Sequence, residues 1–213
     1  MDIERFFRGA TNHYSRGHEL FCQRKDKPAY LFYSALELRF GIESRLREYL
    51  KHQNHVSEKK KNGWKIADLG RNVEQAFSGC VDEVKITLHS GGYPFMLCRY
   101  TPVTPELREI GEKLGNYLHA PKSKDLIDLD QWKDFEQLLE RGFELLEYSC
   151  KGNLLGVPLK EPRSSRVVFN MVVSDDQNDL VSQIYKQGGE ITMHVDYAIP
   201  PLDKTQELVP TSV

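Results

Sequence analysis

Apolar residues recur at steps of three and four over most of the first 150 positions, which confines this part of the chain to helices packed through one face. In residues 2–24, Ile3, Phe6, Phe7, Ala10, Tyr14, Gly17, Leu20 and Phe21 share one side, with Asp2 placed to cap the start. "KDKP" breaks the pattern, and Pro28 suits the first turn of a second helix running to about residue 54. A third helix fits 64–78 through Ile66, Leu69, Val73 and Phe77. Thr104 followed by Pro105 is a cap and a first-turn proline, opening a helix to about 119. Trp132, Phe135, Leu138, Leu139, Leu145 and Leu146 mark a fifth helix over 130–149. Between the third and fourth, "VKITL" (84–88) and "FMLCRY" (95–100) flank the turn-rich "HSGGYP" and predict a β-hairpin.

The pattern changes after Cys150. "GNLLGVPLKEPRSSR" is linker-like and leads to a β-branched strand at 166–174. A short helix at 177–187 follows, then a strand at 190–199 in which Ile191, Met193, Val195 and Tyr197 alternate with polar residues. The predicted fold is mainly α: a helical bundle over 1–150 with an inserted β-hairpin at about 84–100. A small C-terminal α+β appendage at 151–201 and a flexible tail at 202–213 complete it.

The charges nearly cancel, 29 Lys and Arg against 31 Asp and Glu, for a net charge of −2. That argues against a non-specific nucleic-acid binder, which needs a broad basic surface, but leaves room for a nuclease with a small cationic site. The four cysteines have no CxxC spacing, so a sulfur-bound metal is not expected and reduced thiols in a cytoplasmic protein are. "MDIERFFRGA" lacks the apolar core of a signal peptide, and no apolar run reaches membrane-spanning length. "HVSEKKKNG" is expected to be a solvated loop, with RNA contact as the alternative.

The second helix holds the unusual charges. Leu31, Ala35, Leu38, Ile42, Leu46 and Tyr49 form its stripe, widened by Phe32, Leu36 and Leu50. Arg39 and Glu43 project inside that apolar sector, four residues apart and able to pair. Buried charges are expensive unless satisfied, so the pair is either a structural tether or part of a functional cluster. An arginine followed by a histidine with four to six residues between them is the signature of one family of helical ribonucleases. Arg8 with His13, Arg45 with His52 and Arg47 with His52 satisfy it, where random placement supplies about 1.3 such pairs. Arg45 and His52 are expected on a solvated charged edge. Ser90 beside His89 reads as a turn, and His194 is expected on the polar face of its strand or in a protein contact.

A second motif lies in "LREIGEKLGNYLHAP" (107–121). Leu107, Ile110, Leu114 and Tyr117 form the apolar face, while Gly111, Gly115 and His119 form a line on roughly the opposite side. Each interior glycine costs a helix about 1 kcal/mol against alanine, so two in register predict a close neighbour there. With "ALELRFGIESRL" and "GNYLH" together, the chain resembles the HEPN superfamily, helical bundles of toxin–antitoxin, abortive-infection and other antiviral systems. The likeness spans residues 1–150 and leaves the appendage outside it.

In active members, the resemblance implies, an arginine and a histidine cut RNA without metal. The histidine handles the 2′-hydroxyl or leaving-group proton and the arginine stabilises charge on the phosphate. His119 matches the histidine and Asn116 an amide often seen before it. The arginine position falls near Lys113, which keeps the charge but loses the planar fork. Arg39, with Glu43 beside it, is the alternative source of a guanidinium. The expected function is that of a HEPN-like protein of a prokaryotic defence or toxin–antitoxin system, a non-catalytic or degenerate-site subunit acting through protein partners. The alternative is a metal-independent endoribonuclease using His119 with Arg39 or Lys113, and a further alternative is an unrelated helical enzyme. A protein partner or a second copy is expected, with RNA as a further partner, and no membrane, cofactor or metal.

Overall fold

A computed structural model describes residues 7–25, 27, 29–51, 56–63, 65–76, 82–119, 129–155, 159–160, 167–168 and 175–200. The chain divides into two units, Met1–Gly79 with Val103–Lys151 and Cys80–Pro102 with Gly152–Val213. The first holds α1 (Ala10–Cys22), α2 (Ala29–Lys51), α3 (Glu58–Lys61), α4 (Ile66–Ala76), α5 (Pro105–Leu118) and α6 (Leu129–Cys150). Among the described residues no helix is long and apolar enough to cross a membrane.

The long helix α2 packs against α1, α4, α5 and α6. Its Leu38, Ile42, Leu46, Tyr49 and Leu50 are at most 1% exposed, as are Leu69 of α4, Leu107 and Leu114 of α5, and Phe135, Leu139 and Leu146 of α6. Each such side chain contributes roughly 1.5–3 kcal/mol by leaving water. Helix α5 begins as its sequence predicts: Thr104 is extended and its hydroxyl oxygen accepts the Leu107 N–H at 3.2 Å, with Pro105 in the first turn. The basic segment expected as a loop contains the one-turn α3.

Helix α1 starts eight residues later than its apolar periodicity predicts. Residues 7–9 are not helical, and Gly9 is extended at φ −71° and ψ 156° without a side chain to cap the helix. The cap comes instead from α2, where Glu48 Oε1 accepts the Ala10 N–H at 2.9 Å. Arg45, expected on a solvated edge, is 5% exposed. Its Nε donates to the Ser149 carbonyl at 2.8 Å, its Nη1 to Glu48 Oε2 at 3.0 Å, and its guanidinium lies 4.7 Å from the Tyr49 ring centre. It therefore ties α2 to the last turn of α6, whose carbonyls have no partner within the helix. Asp2, His52, the expected helix ends at 54 and 78, most of the 166–174 strand and the 202–213 tail lie outside the described residues.

The second unit is built on a hairpin. Strands β1 (Glu83–Ser90) and β2 (Tyr93–Tyr100) turn through Gly91 and Gly92, both at positive φ, 57° and 82°. A two-residue turn with this geometry suits glycine and matches the twist of the strands. Two-residue strands β3 (Leu159–Lys160) and β4 (Val167–Val168) pair with each other, and α7 (Asp175–Lys186) leads into β5 (Ile191–Ala198). Strand β5 pairs antiparallel with β1, so the sheet order is β2-β1-β5. The hairpin, expected as an inset of the helical domain, thus shares its sheet with the C-terminal strand. The "linker" takes part as well: the Leu154 N–H donates to the Arg99 carbonyl at 2.9 Å and the Arg99 N–H to Asn153 Oδ1 at 2.7 Å, along the outer edge of β2.

Candidate functional site

Helices α1 and α2 approach closely where a glycine of one faces a side chain of the other, Gly17 against Glu37 and Gly41 against His13. A Cβ on Gly17 would stand 2.9 Å from the Glu37 Cβ, and one on Gly41 3.3 Å from the His13 Cβ and 2.6 Å from Leu146. Beside this contact opens a groove of about 930 Å³. Arg8, Gly9, His13 and Arg16 line it from α1 and the residues before it, and Lys61 and Asn62 from the end of α3. Helix α2 supplies Glu37, Phe40, Glu43, Ser44, Arg47, Glu48 and Lys51. Five arginines and lysines face three glutamates there, an excess of two positive charges in a chain that carries −2 overall. Among the described residues Arg8 and Lys51 enter no ion pair, so the groove holds cations available to an anion.

His13 is the most constrained polar group of the groove at 6% exposure. Its Nδ1 lies 2.7 Å from Glu37 Oε2 and 2.9 Å from Arg16 Nη2. One nitrogen cannot donate to a carboxylate and accept from a guanidinium in the same tautomer. The shorter contact to the charged acceptor assigns the hydrogen to Nδ1. Arg16 then donates to the same carboxylate, from Nη2 to Oε2 at 2.9 Å and from Nε to Oε1 at 3.2 Å, and from Nη1 to the Phe7 carbonyl at 3.0 Å. Glu37 is fixed by Arg16, and His13 is fixed by Glu37. This arrangement commits Nδ1 and leaves Nε2 as the nitrogen able to take up a proton, the way a carboxylate orients a catalytic imidazole.

Along the same wall runs a ladder on α2. Glu43 Oε1 lies 3.5 Å from Arg39 Nε, and Glu43 Oε2 lies 3.5 Å from Arg47 Nη2. Arg47 is anchored further by donating from Nε and Nη2 to the Gly63 carbonyl at 3.1 and 3.0 Å. Burial pushes the Glu43 carboxyl above the usual carboxylate range; Arg47, Arg39 and, more weakly, His13 pull it back without cancelling the shift. The groove therefore combines an oriented imidazole with a carboxyl whose pKa burial raises. Among the described residues no three His, Cys, Asp or Glu side chains are grouped to hold a metal ion.

The residues singled out in the sequence fall in two places. Arg39 and Glu43 pair, and the Arg39 guanidinium reaches α5: a Cβ on Gly115 would stand 2.8 Å from its Nη1. The close neighbours of the glycine line are thus Arg39 at Gly115, with Ile42 and Ile66 at Gly111. His119 caps the end of α5, exposed and extended at φ −84° and ψ 151°, with its N–H on the Gly115 carbonyl at 3.1 Å. Four positions beyond Gly115, it stands about 6 Å along the axis from the Arg39 contact. Lys113 and Asn116 are exposed, and Lys113 is about 200° around α5 from Gly115.

Arg8 and His13, one of the chance-level arginine–histidine pairs, both line the groove. Glu37, Arg16, Ser44 and Glu48 carry no motif. One signal for them lies in helical spacing: Glu37, Gly41, Ser44 and Glu48 recur at four, three and four on α2, and His13 falls between Ala10 and Gly17 on the small-residue face of α1. A polar residue inside a tight helix contact is the same anomaly that marks Arg39 and Glu43. No protein-family model, curated protein or solved structure matches the chain.

Proposed function

We propose that the chain is a HEPN-like protein that cuts RNA without metal, and that its reaction site is the α1–α2 groove. The observation that carries this reading is the Glu37–His13 hydrogen bond at 2.7 Å within a groove of net positive charge. Bound RNA would lay a phosphate against Arg8 and Lys51. His13 Nε2 would take the proton of the neighbouring 2′-hydroxyl as its oxygen bonds to phosphorus. The bond to the 5′-oxygen breaks on the opposite side, and that leaving oxygen would take its proton from Glu43, whose pKa burial raises. The products are a 2′,3′-cyclic phosphate and a 5′-hydroxyl.

The test is cleavage of a defined RNA by the purified full chain in EDTA, comparing wild type with His13→Ala, Glu37→Gln and His119→Ala. Loss of an acid–base group lowers the rate about 10²-fold or more, so His13→Ala should be near inactive and His119→Ala near wild type. A reversed ranking would move the reaction to the end of α5, with Arg39 as its cation. No cleavage by the wild type refutes the nuclease reading. A non-catalytic subunit acting through a protein partner is the second reading, and a separate observation favours it: Arg16, Arg39 and Arg47 are all held by glutamates of α2, as a structural lattice would be.

A further inference from the structure

The sheet of the second unit has one apolar face that is buried on two strands and uncovered on the third. By register, Val84, Ile86 and Leu88 of β1 stand beside Tyr100, Cys98 and Met96 of β2 on one side and beside Tyr197, Val195 and Met193 of β5 on the other. The six residues of β1 and β2 are at most 7% exposed, whereas Met193 is 40% and Tyr197 60% exposed. The two edges differ as well. The β2 edge is covered by Gly152–Leu154, while among the described residues the β5 edge has no partner. An eight-residue edge strand with an apolar face is a template for another strand.

We propose that β5 pairs antiparallel with β5 of a second copy of this chain, about a two-fold axis at Val195, joining two three-stranded sheets into one of six strands. The residues of β5 select both the occupant and the register. With the axis at Val195, His194 faces Asp196 of the second copy and Asp196 faces its His194, while Met193 faces Tyr197 and Ile191 faces Ile199 on the apolar side. Within one copy His194 Nε2 and Asp196 Oδ1 are 3.3 Å apart, both well exposed, so they share a face and are open to a partner. Moving the register by two residues sets His194 against His194 in one direction and Asp196 against Asp196 in the other; either loses both imidazole–carboxylate pairs, and two carboxylates directly opposite repel. Moving it by one sets apolar residues against polar ones. A strand whose reverse sets an imidazole, able to donate an N–H, opposite a carboxylate fits a second copy better than an arbitrary partner. This pairing does not depend on any activity in the helical unit.

A single strand pair buries less than the roughly 1,600 Å² of a standard interface, so association should be weak, on the order of 10 µM. Sedimentation velocity of the full chain from 1 to about 200 µM should show monomer passing to dimer. His194→Asp, which opposes two acids, should weaken the dimer at least about tenfold, and His194→Asp combined with Asp196→His should restore it. Val195→Cys should be captured as a dimer by a short bismaleimide beyond the background of the parent chain. Ile191→Cys, about 26 Å from its counterpart in this register, should not. A chain that stays monomeric at 200 µM overturns the proposal, leaving the face to some other partner. So does a dimer indifferent to His194→Asp, or equal capture at both cysteines.

Discussion

Replacing Glu37 with alanine removes the acceptor on which α1 is fastened to α2. The carboxylate takes three N–H groups, His13 Nδ1 at 2.7 Å and Arg16 Nη2 and Nε at 2.9 and 3.2 Å. The side chains are 8%, 14% and 23% exposed for His13, Arg16 and Glu37, so water screens these bonds only partly. A hydrogen bond to a charged group is worth about 1.5–3 kcal/mol, but the three do not simply add. Arg16 keeps the Phe7 carbonyl and can turn to solvent. The imidazole must either leave its buried N–H orphaned, which costs about 1–3 kcal/mol, or move the proton to Nε2 so that Nδ1 accepts from Arg16 Nη2. The net loss should be about 2–3 kcal/mol, read as a lower urea midpoint at unchanged m-value. The double variant with His13→Ala removes donor and acceptor together, so it should fall short of the summed single losses by about 1–2 kcal/mol. A Glu37→Ala loss below about 0.5 kcal/mol, or single losses that add within about 0.3 kcal/mol, would refute the tether.

Glu43→Gln tests the buried carboxyl. Because burial raises its pKa, the folded state holds this proton more tightly than the unfolded chain, and charged Glu43 lowers stability as pH rises above the ordinary carboxylate range. The glutamine variant should therefore be the more stable at pH 7, with the gap closing toward pH 4 in urea titrations; a glutamine variant weaker at pH 7 would show that Arg39 and Arg47 outweigh burial. Tyr49, fully buried and donating to the Ser149 carbonyl at 3.4 Å, has its phenol pushed up to about 12, chiefly by burial. The unfolded chain loses that proton first, so wild-type stability should fall between about pH 10 and 12 by a margin that Tyr49→Phe does not show. Gly152→Ala would put a Cβ 2.6 Å from the Arg99 carbonyl oxygen and 2.9 Å from the Thr101 nitrogen, both backbone atoms. Overpacking of this kind costs about 1–3 kcal/mol, and the Leu154 and Arg99 amides should exchange faster by hydrogen-exchange mass spectrometry or NMR.

Features set by neighbouring residues were legible in the sequence. Thr104 and Pro105 start α5, Gly91 and Gly92 turn the hairpin, and the apolar spacing of α2 and α6 marks their buried faces. Long-range features were hidden. The periodicity of Phe6, Phe7 and Ala10 runs on through Gly9, whereas the helix begins where Glu48, 38 positions away, can cap it. Arg45 looks like a surface charge because its acceptor is a carbonyl 104 residues downstream. His13 stood out only as half of a spacing that chance supplies, since its partner Glu37 lies on the next helix. Arg39 and Glu43 were visible as charges inside an apolar stripe, and Arg39 does reach the glycine line of α5.

The pairing of β1 with β5 also sets an order of events during synthesis. Ser90 pairs with Ile191, so the central strand of the sheet is made about 100 residues before the strand that covers one of its edges. At about 5–20 residues per second, β1 waits roughly 5–20 s on the ribosome with that edge open, while α5 and α6 are still emerging. The helical unit is complete at Lys151 and can fold within that interval. Until β5 emerges, the hairpin presents an edge open to mispairing, the same edge chemistry that β5 presents among the described residues.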